Sequence, residues 1–189
     1  MEKLLVEVSA RHIHLTKEHV NILFGEGYEL TFRKELSQPG QFATNDKVVL
    51  VGPKSEMALT VLGPERNVTQ AEVSLTDARV LGIKAPIRES GDVAGSTGIT
   101  LKGPKGTVEI QEGVIVAKRH VHMEPKDAEY YGVKNGDVIG VAIETDGRSI
   151  VFNDTVVRVS ESYRLAMHID TDEANGANIG GNVFGSVVK

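Results

Sequence analysis

The sequence predicts a mainly β protein made of two similar β-barrel domains with short flanking α-helices. Short runs rich in Val and Ile alternate with Gly and Pro turns, a pattern that favours barrels or sandwiches over a parallel α/β sheet. A segment near the N-terminus also returns in the second half of the chain, and each copy leads into a short helical pattern that ends at a glycine. Two equivalent halves follow from this repetition.

The predicted strands are separated by turn signals. Gly52-Pro53 and Gly103-Pro104 each join two apolar runs, and Asp146-Gly147 is a two-residue hairpin signal. Helices are predicted over residues 16–24 and 124–131, because Gly25 and Gly132 follow them and glycine accepts the left-handed conformation that closes a helix. The strands expected from this pattern are 47–51, 58–62, 99–101, 107–110, 138–143, 149–152, 155–159 and 165–169.

The internal repeat also organises the chain into domains. Residues 5–16 align with residues 113–124, and residues 76–85 form a third partial copy that aligns with residues 126–135. Extending the third copy backwards places Glu72 opposite His122, while a fainter fourth echo at His168 has a different spacing. The linker-like composition of residues 90–98 predicts domains 1–90 and 91–189, with an approximate boundary and a chain that can exchange between the halves.

Composition excludes several classes of function. The 21 basic and 26 acidic residues give a formal charge of −5, which argues against nucleic acid as a main partner and leaves anionic small molecules open. Cysteine is absent, so thiolate metal clusters, disulfides and a cysteine nucleophile are excluded. The chain shows no nucleotide phosphate loop, Gly-x-Ser-x-Gly elbow, membrane span or secretory signal. A cytoplasmic location is therefore expected, without a membrane partner.

Two histidine doublets are the main chemical signal. His12 and His14 recur as His120 and His122, and an arginine precedes each pair. Residues i and i+2 of a strand project from the same face, so each doublet presents two imidazoles side by side. Single histidines are usually structural, but the repeated doublet favours metal binding, for which imidazole is a common ligand.

Further candidate residues complete the predicted site. His168 lies at an alternating strand position, where it could supply another ligand, and Glu72 occupies a histidine position of the repeat. Arg66 is close to Glu72 in sequence, and an arginine fork matches phosphate or carboxylate oxygens. Metal-assisted chemistry on an anionic substrate is the interpretation that remains.

Four ordered motifs carry a family resemblance. They cover residues 9–15, 63–74, 117–123 and 167–175. On these motifs, and over about residues 6–178, the chain resembles the PduL-type phosphate acyltransferases, also called phosphotransacylases or phosphate propanoyltransferases. The resemblance implies two β-barrel domains with two zinc ions in the cleft between them. It also implies reversible transfer of a short acyl group, acetyl or propanoyl, between coenzyme A and inorganic phosphate.

The resemblance assigns roles to individual residues. It implies one zinc ion on His12, His14 and Glu72, and a second on His120, His122 and His168. Arg66 matches the phosphate-binding arginine, and Ser90 matches a serine proposed to assist catalysis. The residues that fall where similar enzymes contact coenzyme A are Ser9, Lys34 and Asn175.

Other expectations and alternatives follow from the same comparison. A homodimer is expected from the family. Microcompartment members carry an N-terminal targeting helix, whereas only Met-Glu-Lys-Leu-Leu precedes the first strand here. A targeting peptide is therefore not indicated, and a microcompartment location remains the alternative to the expected cytoplasmic one. A zinc-dependent thioester or phosphoester hydrolase would use the same ligands, and a non-catalytic, metal-stabilised binding module is a third reading. The spacing of the ligands does not separate these functions.

Overall fold

The computed structural model describes residues 4–188, and this part of the chain contains fourteen strands and four helices. The strands are β1 (Leu4–Val8), β2 (His12–His14), β3 (Phe32–Glu35), β4 (Phe42–Val51), β5 (Glu56–Gly63), β6 (Gln70–Glu72), β7 (Ile87–Arg88), β8 (Thr97–Lys102), β9 (Thr107–Ala117), β10 (His120–Met123), β11 (Val138–Ile143), β12 (Ile150–Val159), β13 (Ala166–Ile169) and β14 (Val183–Val188). The helices are α1 (Lys17–Phe24), α2 (Leu75–Leu81), α3 (Pro125–Tyr131) and α4 (Thr171–Gly176).

The chain forms two compact units, and they do not follow the predicted division between residues 90 and 91. The unit that we call barrel A comprises Ala10–Leu36 and Gly40–Ala117. Barrel B comprises, among the described residues, 4–9, Ser37–Pro39 and 118–188. The division differs because β8 and β9, which follow the predicted boundary, pair with strands of barrel A and close it.

Each unit is a closed ring of six strands, which confirms the predicted fold class. The ring of barrel A runs β4-β5-β2-β6-β9-β8 and returns to β4, with β3 and β7 added outside the ring. The ring of barrel B runs β11-β12-β10-β13-β1-β14 and returns to β11. Parallel and antiparallel pairs follow in the same order around both rings. The two histidine strands, β2 and β10, therefore occupy equivalent positions.

The chain exchanges strands between the two rings. Strand β1 directly precedes the histidine strand β2 but pairs with β13 in barrel B. Strand β9 directly precedes the histidine strand β10 but pairs with β6 in barrel A. Each copy of the sequence repeat is thus divided, because its first strand completes one barrel and its histidine strand belongs to the other.

The barrel cores hold the histidine strands in place. Ile13 is fully buried in the core of barrel A, and Val121 is fully buried in the core of barrel B. Burial of such a side chain stabilises the fold by about 1.5–3 kcal/mol. Because side chains alternate along a strand, the histidines on either side of Ile13 and Val121 project from the opposite face.

Several elements differ from the prediction in extent. Strands β4 and β9 extend beyond the predicted segments, and residues 149–152 and 155–159 form one strand, β12, in which Asp154 has a φ of 56°. Ile143 of β11 pairs with Ile150 of β12, so the hairpin containing Gly147 has a longer connection than two residues. Within residues 4–188, none of the helices is both long and apolar enough to cross a lipid bilayer.

Candidate metal centres

Each of the four described helices is joined to the strand before it by the same type of junction. Each begins after a short strand, and the helix N-caps are Thr16, Ser74, Glu124 and Asp170. The residues two positions before these N-caps are His14, Glu72, His122 and His168. Counted from the N-cap, the His168 segment therefore has the same spacing as the other three copies. The different spacing expected for this copy from the sequence is therefore wrong.

The first cluster, which we call triad A, consists of His12, His14 and Glu72. Strands β2 and β6 are antiparallel, and His12 pairs directly with Glu72 in their register. Each residue offers one ligand atom within 4.8 Å of the other two. His12 Nε2 lies 3.5 Å from Glu72 Oε2, and both histidines are buried. Strand pairing thus adds the predicted carboxylate to the first doublet.

The second cluster, triad B, consists of His120, His122 and His168. His120 pairs directly with His168 between the antiparallel strands β10 and β13, at the position that Glu72 takes in barrel A. The three ligand atoms again lie within 4.8 Å of one another. The structure therefore brings the six predicted ligands together in the two expected groups of three, while metal binding itself stays a prediction.

Hydrogen bonds define which ring nitrogens face each cluster. The Nδ1 atoms of His12 and His120 lie 2.9 Å and 2.8 Å from the carbonyl oxygens of Ala10 and Lys118. An Nδ1–H that donates to such a carbonyl leaves the Nε2 lone pair as a ligand, as is common for metal-binding histidines. The first histidine of each doublet is therefore oriented in the same way.

The second histidine of each doublet carries a buried nitrogen that suits a cation. The Nδ1 atoms of His14 and His122 are buried and have no hydrogen-bond partner among the described residues. Leaving a buried polar group unsatisfied costs about 1–3 kcal/mol. A metal ion coordinated by these nitrogens would satisfy them, so the residues present fit a metal ion at both triads.

Burial also keeps these two imidazoles uncharged. Desolvation, followed by the neighbouring histidines and a nearby arginine, lowers the pKa of His14 to about 2 and the pKa of His122 to about 2. Both rings are therefore neutral at physiological pH. The neutral imidazole is the form that ligates metals.

Two polar side chains hold the carboxylate of triad A. The Gln70 amide Nε2 donates to Glu72 Oε1 at 2.7 Å, and Ser90 Oγ donates to the same oxygen at 2.9 Å. Ser90, predicted as a catalytic residue, is therefore a hydrogen-bond donor to a candidate metal ligand. Gln70 was not among the predicted site residues, although it lies two positions before Glu72 and alternation places both on one strand face.

A different carboxylate lies behind the third ligand of triad B. Glu7 pairs with His168 between β1 and β13, and Glu7 Oε2 lies 3.7 Å from His168 Nδ1. Ser37 Oγ donates a hydrogen bond to the same Glu7 oxygen. Sequence reasoning missed both residues, because only the pairing of β1 with a strand from the other end of the chain brings Glu7 to this histidine.

The arginine that precedes each doublet has a structural role. Arg11 Nη1 lies 2.7 Å from Asp77 Oδ1, and Arg119 Nε lies 2.9 Å from Glu173 Oε1. Asp77 and Glu173 are the third residues of α2 and α4, and each also accepts a hydrogen bond from the N-cap backbone N–H of its helix. The repeated arginine thus ties each histidine strand to the helix that follows the third ligand.

Arg66 lies at a pocket beside triad A. The pocket has a volume of about 390 Å³ and is lined by Glu65, Arg66, Asn67, Val68, Gln70 and Gly91. The Arg66 backbone N–H donates to the Leu15 carbonyl at 2.9 Å, which holds this loop to the end of the histidine strand. A guanidinium in such a pocket suits a phosphate or carboxylate ligand.

The remaining predicted residues lie on separate elements. Ser9 is half-buried after β1, and its backbone N–H donates to the Ile169 carbonyl. Lys34 is exposed on β3, and Asn175 is exposed in the last turn of α4. Their contact with coenzyme A stays a prediction.

Fold and clusters together define a protein of two closed β-barrels, each bearing three side chains arranged as candidate metal ligands. A sequence model described as phosphate propanoyltransferase matches residues 5–180. The chain therefore belongs to the phosphate propanoyltransferase family, a family of acyltransferases. This membership confirms the family that the sequence motifs predicted.

Curated relatives agree with the family match. A phosphate propanoyltransferase from Thermotoga maritima is 53% identical over 175 residues, which cover 92% of this chain and 83% of that protein. One from Leptotrichia buccalis is 51% identical over 186 residues, covering 98% of this chain and 88% of that protein. One from Listeria monocytogenes is 49% identical over 185 residues, covering 97% of this chain and 86% of that protein.

Proposed function

We propose that the chain catalyses reversible transfer of a short acyl group, acetyl or propanoyl, between coenzyme A and inorganic phosphate, with one zinc ion on each triad. Family membership supports the reaction class. The observation that carries the metal part of the proposal is the convergence of three ligand atoms within 4.8 Å in each barrel. Histidine and carboxylate ligands suit zinc in the absence of cysteine.

Each triad offers three protein ligands, which leaves a fourth position of a tetrahedral zinc free for water or substrate. Zinc bound in this way would act as a Lewis acid that polarises the thioester carbonyl and favours the thiolate of the departing coenzyme A. Gln70 and Ser90 hold Glu72 in triad A, and Glu7 faces His168 in triad B.

Arg66 is the proposed phosphate anchor. Its guanidinium is charged at all relevant pH values and presents a planar set of donors to phosphate oxygens. Because the chain has no cysteine, no cysteine can carry the acyl group as an enzyme-bound thioester, and we propose direct attack of phosphate on the acyl-CoA carbonyl. Holding both substrates in one orientation supplies a large part of the rate gain in such a reaction.

A phosphate-dependence assay tests the reaction. Purified protein is incubated with acetyl-CoA or propanoyl-CoA, with and without phosphate, while free thiol and acyl phosphate are measured. We expect thiol release to require phosphate and to equal acyl phosphate formation. Thiol release without phosphate would instead establish a hydrolase, and zinc binding without turnover would indicate a binding module.

Substitutions test the assigned residues. Arg66→Ala should raise KM for phosphate while zinc content, measured by elemental analysis, stays at two ions per chain. Arg79→Ala removes an exposed arginine on α2 and serves as the matched control, with unchanged KM. His120→Ala should lose one zinc ion and most of the activity. Unchanged phosphate kinetics in Arg66→Ala would remove this arginine from the proposed site.

A further inference from the structure

Gln70 lies at the centre of a closed hydrogen-bond network. Its side chain is 3% exposed. Nε2 donates to Glu72 Oε1 at 2.7 Å and to Ser90 Oγ at 2.8 Å, while Oε1 accepts from the Gly91 backbone N–H at 2.7 Å. The amide nitrogen of this buried glutamine therefore has two acceptors, and its amide oxygen has one donor.

The chemistry of the partners permits only one orientation of the amide. The Gly91 N–H can only donate, so the amide oxygen must face it, and an ionised Glu72 carboxylate can only accept, so the NH₂ group must face that side. Rotating the amide by 180° would place two acceptors together at Glu72 and two donors together at Gly91. Gln70 thus connects Glu72 to the loop of residues 90–91 in a defined geometry.

The network leaves one oxygen of Glu72 for a cation. Oε1 receives hydrogen bonds from both Gln70 and Ser90, while Oε2 lies 3.5 Å from His12 Nε2. We infer that Gln70 is a positioning residue that directs Glu72 Oε2 towards the metal of triad A. Ser90 shares this role as the second donor. The inference rests on the proposed function, because it needs a metal ion at triad A.

The same glutamine borders the Arg66 pocket. Gln70, Arg66 and Gly91 all line that pocket, and Gln70 holds Gly91 through its amide oxygen. Loss of the Gln70 side chain should therefore disturb both the orientation of Glu72 and the wall of the pocket. Triad B takes its candidate ligands from β10 and β13 of barrel B, and its zinc affinity serves as the internal reference.

The test measures zinc affinity rather than activity alone. Full-length wild-type protein and Gln70→Met, which keeps a similar length without the amide, are equilibrated at a series of buffered free zinc concentrations, and bound zinc is measured by elemental analysis. Loss of an outer hydrogen-bond partner of a metal ligand costs about 10–100-fold in affinity. We expect one of the two ions per chain to bind more weakly by this factor. A parallel series in a His120→Ala background assigns the weakened site to triad A.

A matched control separates positioning from stability. Thr44 is buried in barrel A, and its hydroxyl donates to the Val61 carbonyl at 2.7 Å. Thr44→Val therefore loses a buried hydrogen bond in the same barrel, and it should lower the melting temperature while both zinc affinities stay at the wild-type values. A glutamine with a merely structural role would behave like Thr44.

Each outcome supports or overturns the inference. Wild-type protein that binds no zinc would overturn the proposed metal sites and this inference together. If a folded Gln70→Met variant binds both zinc ions with wild-type affinity, the inference about Gln70 is overturned while the proposed metal sites stand. If Gln70→Met does not fold, Ser90→Ala decides, because it removes one donor to Glu72 Oε1 and should weaken the same ion. Unchanged binding in Ser90→Ala would then reject the role.

Discussion

Removal of zinc should lower the melting temperature by a margin that follows from the two triads. Metal bound only to the folded state stabilises it by RT ln(1 + [Zn]/Kd), or about 2.7 kcal/mol per site when free zinc is 100 times Kd. Two occupied triads therefore contribute about 5 kcal/mol. For a chain of about 150–250 residues, 1 kcal/mol shifts the melting temperature by about 2–4 °C. We expect a difference of about 10–20 °C between the zinc-saturated and chelated protein.

Circular dichroism melts provide the assay. Wild-type protein is heated with free zinc buffered at 100 times Kd and again in excess chelator, and the two midpoints are compared. His120→Ala retains only triad A and should show about half of the wild-type difference in free energy. A wild-type midpoint that does not respond to zinc, or a full response in His120→Ala, would refute the assignment of one ion to each triad.

Three further predictions concern pH, an ion pair and the support of triad B. Because the pKa of folded His14 and His122 is about 2, below the unfolded value of 6.5, the unfolded chain takes up more protons. Stability of the metal-free protein should thus fall below pH 6.5 by about 1.4 kcal/mol per pH unit for each histidine; equal urea midpoints at pH 7 and pH 5.5 would contradict this. Arg119→Gln should lower the free energy of unfolding by about 1 kcal/mol in the same urea assay, since its ion pair with Glu173 is partly buried. An unchanged midpoint would argue against a stabilising role of this ion pair. Glu7→Gln should weaken the triad B ion by about 10-fold in zinc-buffered titrations, whereas unaltered binding would show that His168 needs no carboxylate.

Sequence alone predicted the parts of the site that depend on local pattern. The i, i+2 spacing of His12 and His14 required only strand periodicity. Glu72 was found because the repeat placed it at a histidine position. The same pattern placed His168 in a copy of different spacing, whereas the N-cap at Asp170 gives that segment the spacing of the other copies.

Long-range pairing was outside the reach of the sequence pattern. Glu7 reaches His168 only because β1 pairs with β13, and Gln70 reaches Ser90 only because the loop of residues 89–91 folds back beside β6. The composition of the two compact units depends on such pairing as well. Composition marked residues 90–98 as a linker, but ring closure by β8 and β9 depends on partners elsewhere in the chain.

Because β1 and β9 are exchanged between the barrels, division of the chain near residue 90 leaves both barrels incomplete. A fragment ending at residue 90 lacks the two strands that seal barrel A, and the complementary fragment lacks the N-terminal strand that seals barrel B. Neither piece is a self-sufficient folding unit, yet each carries what the other is missing. During synthesis, β1 can pair with β13 only after Met167, the partner of Val6, has been made. Barrel B is therefore completed late, as expected when contacts are distant along the chain.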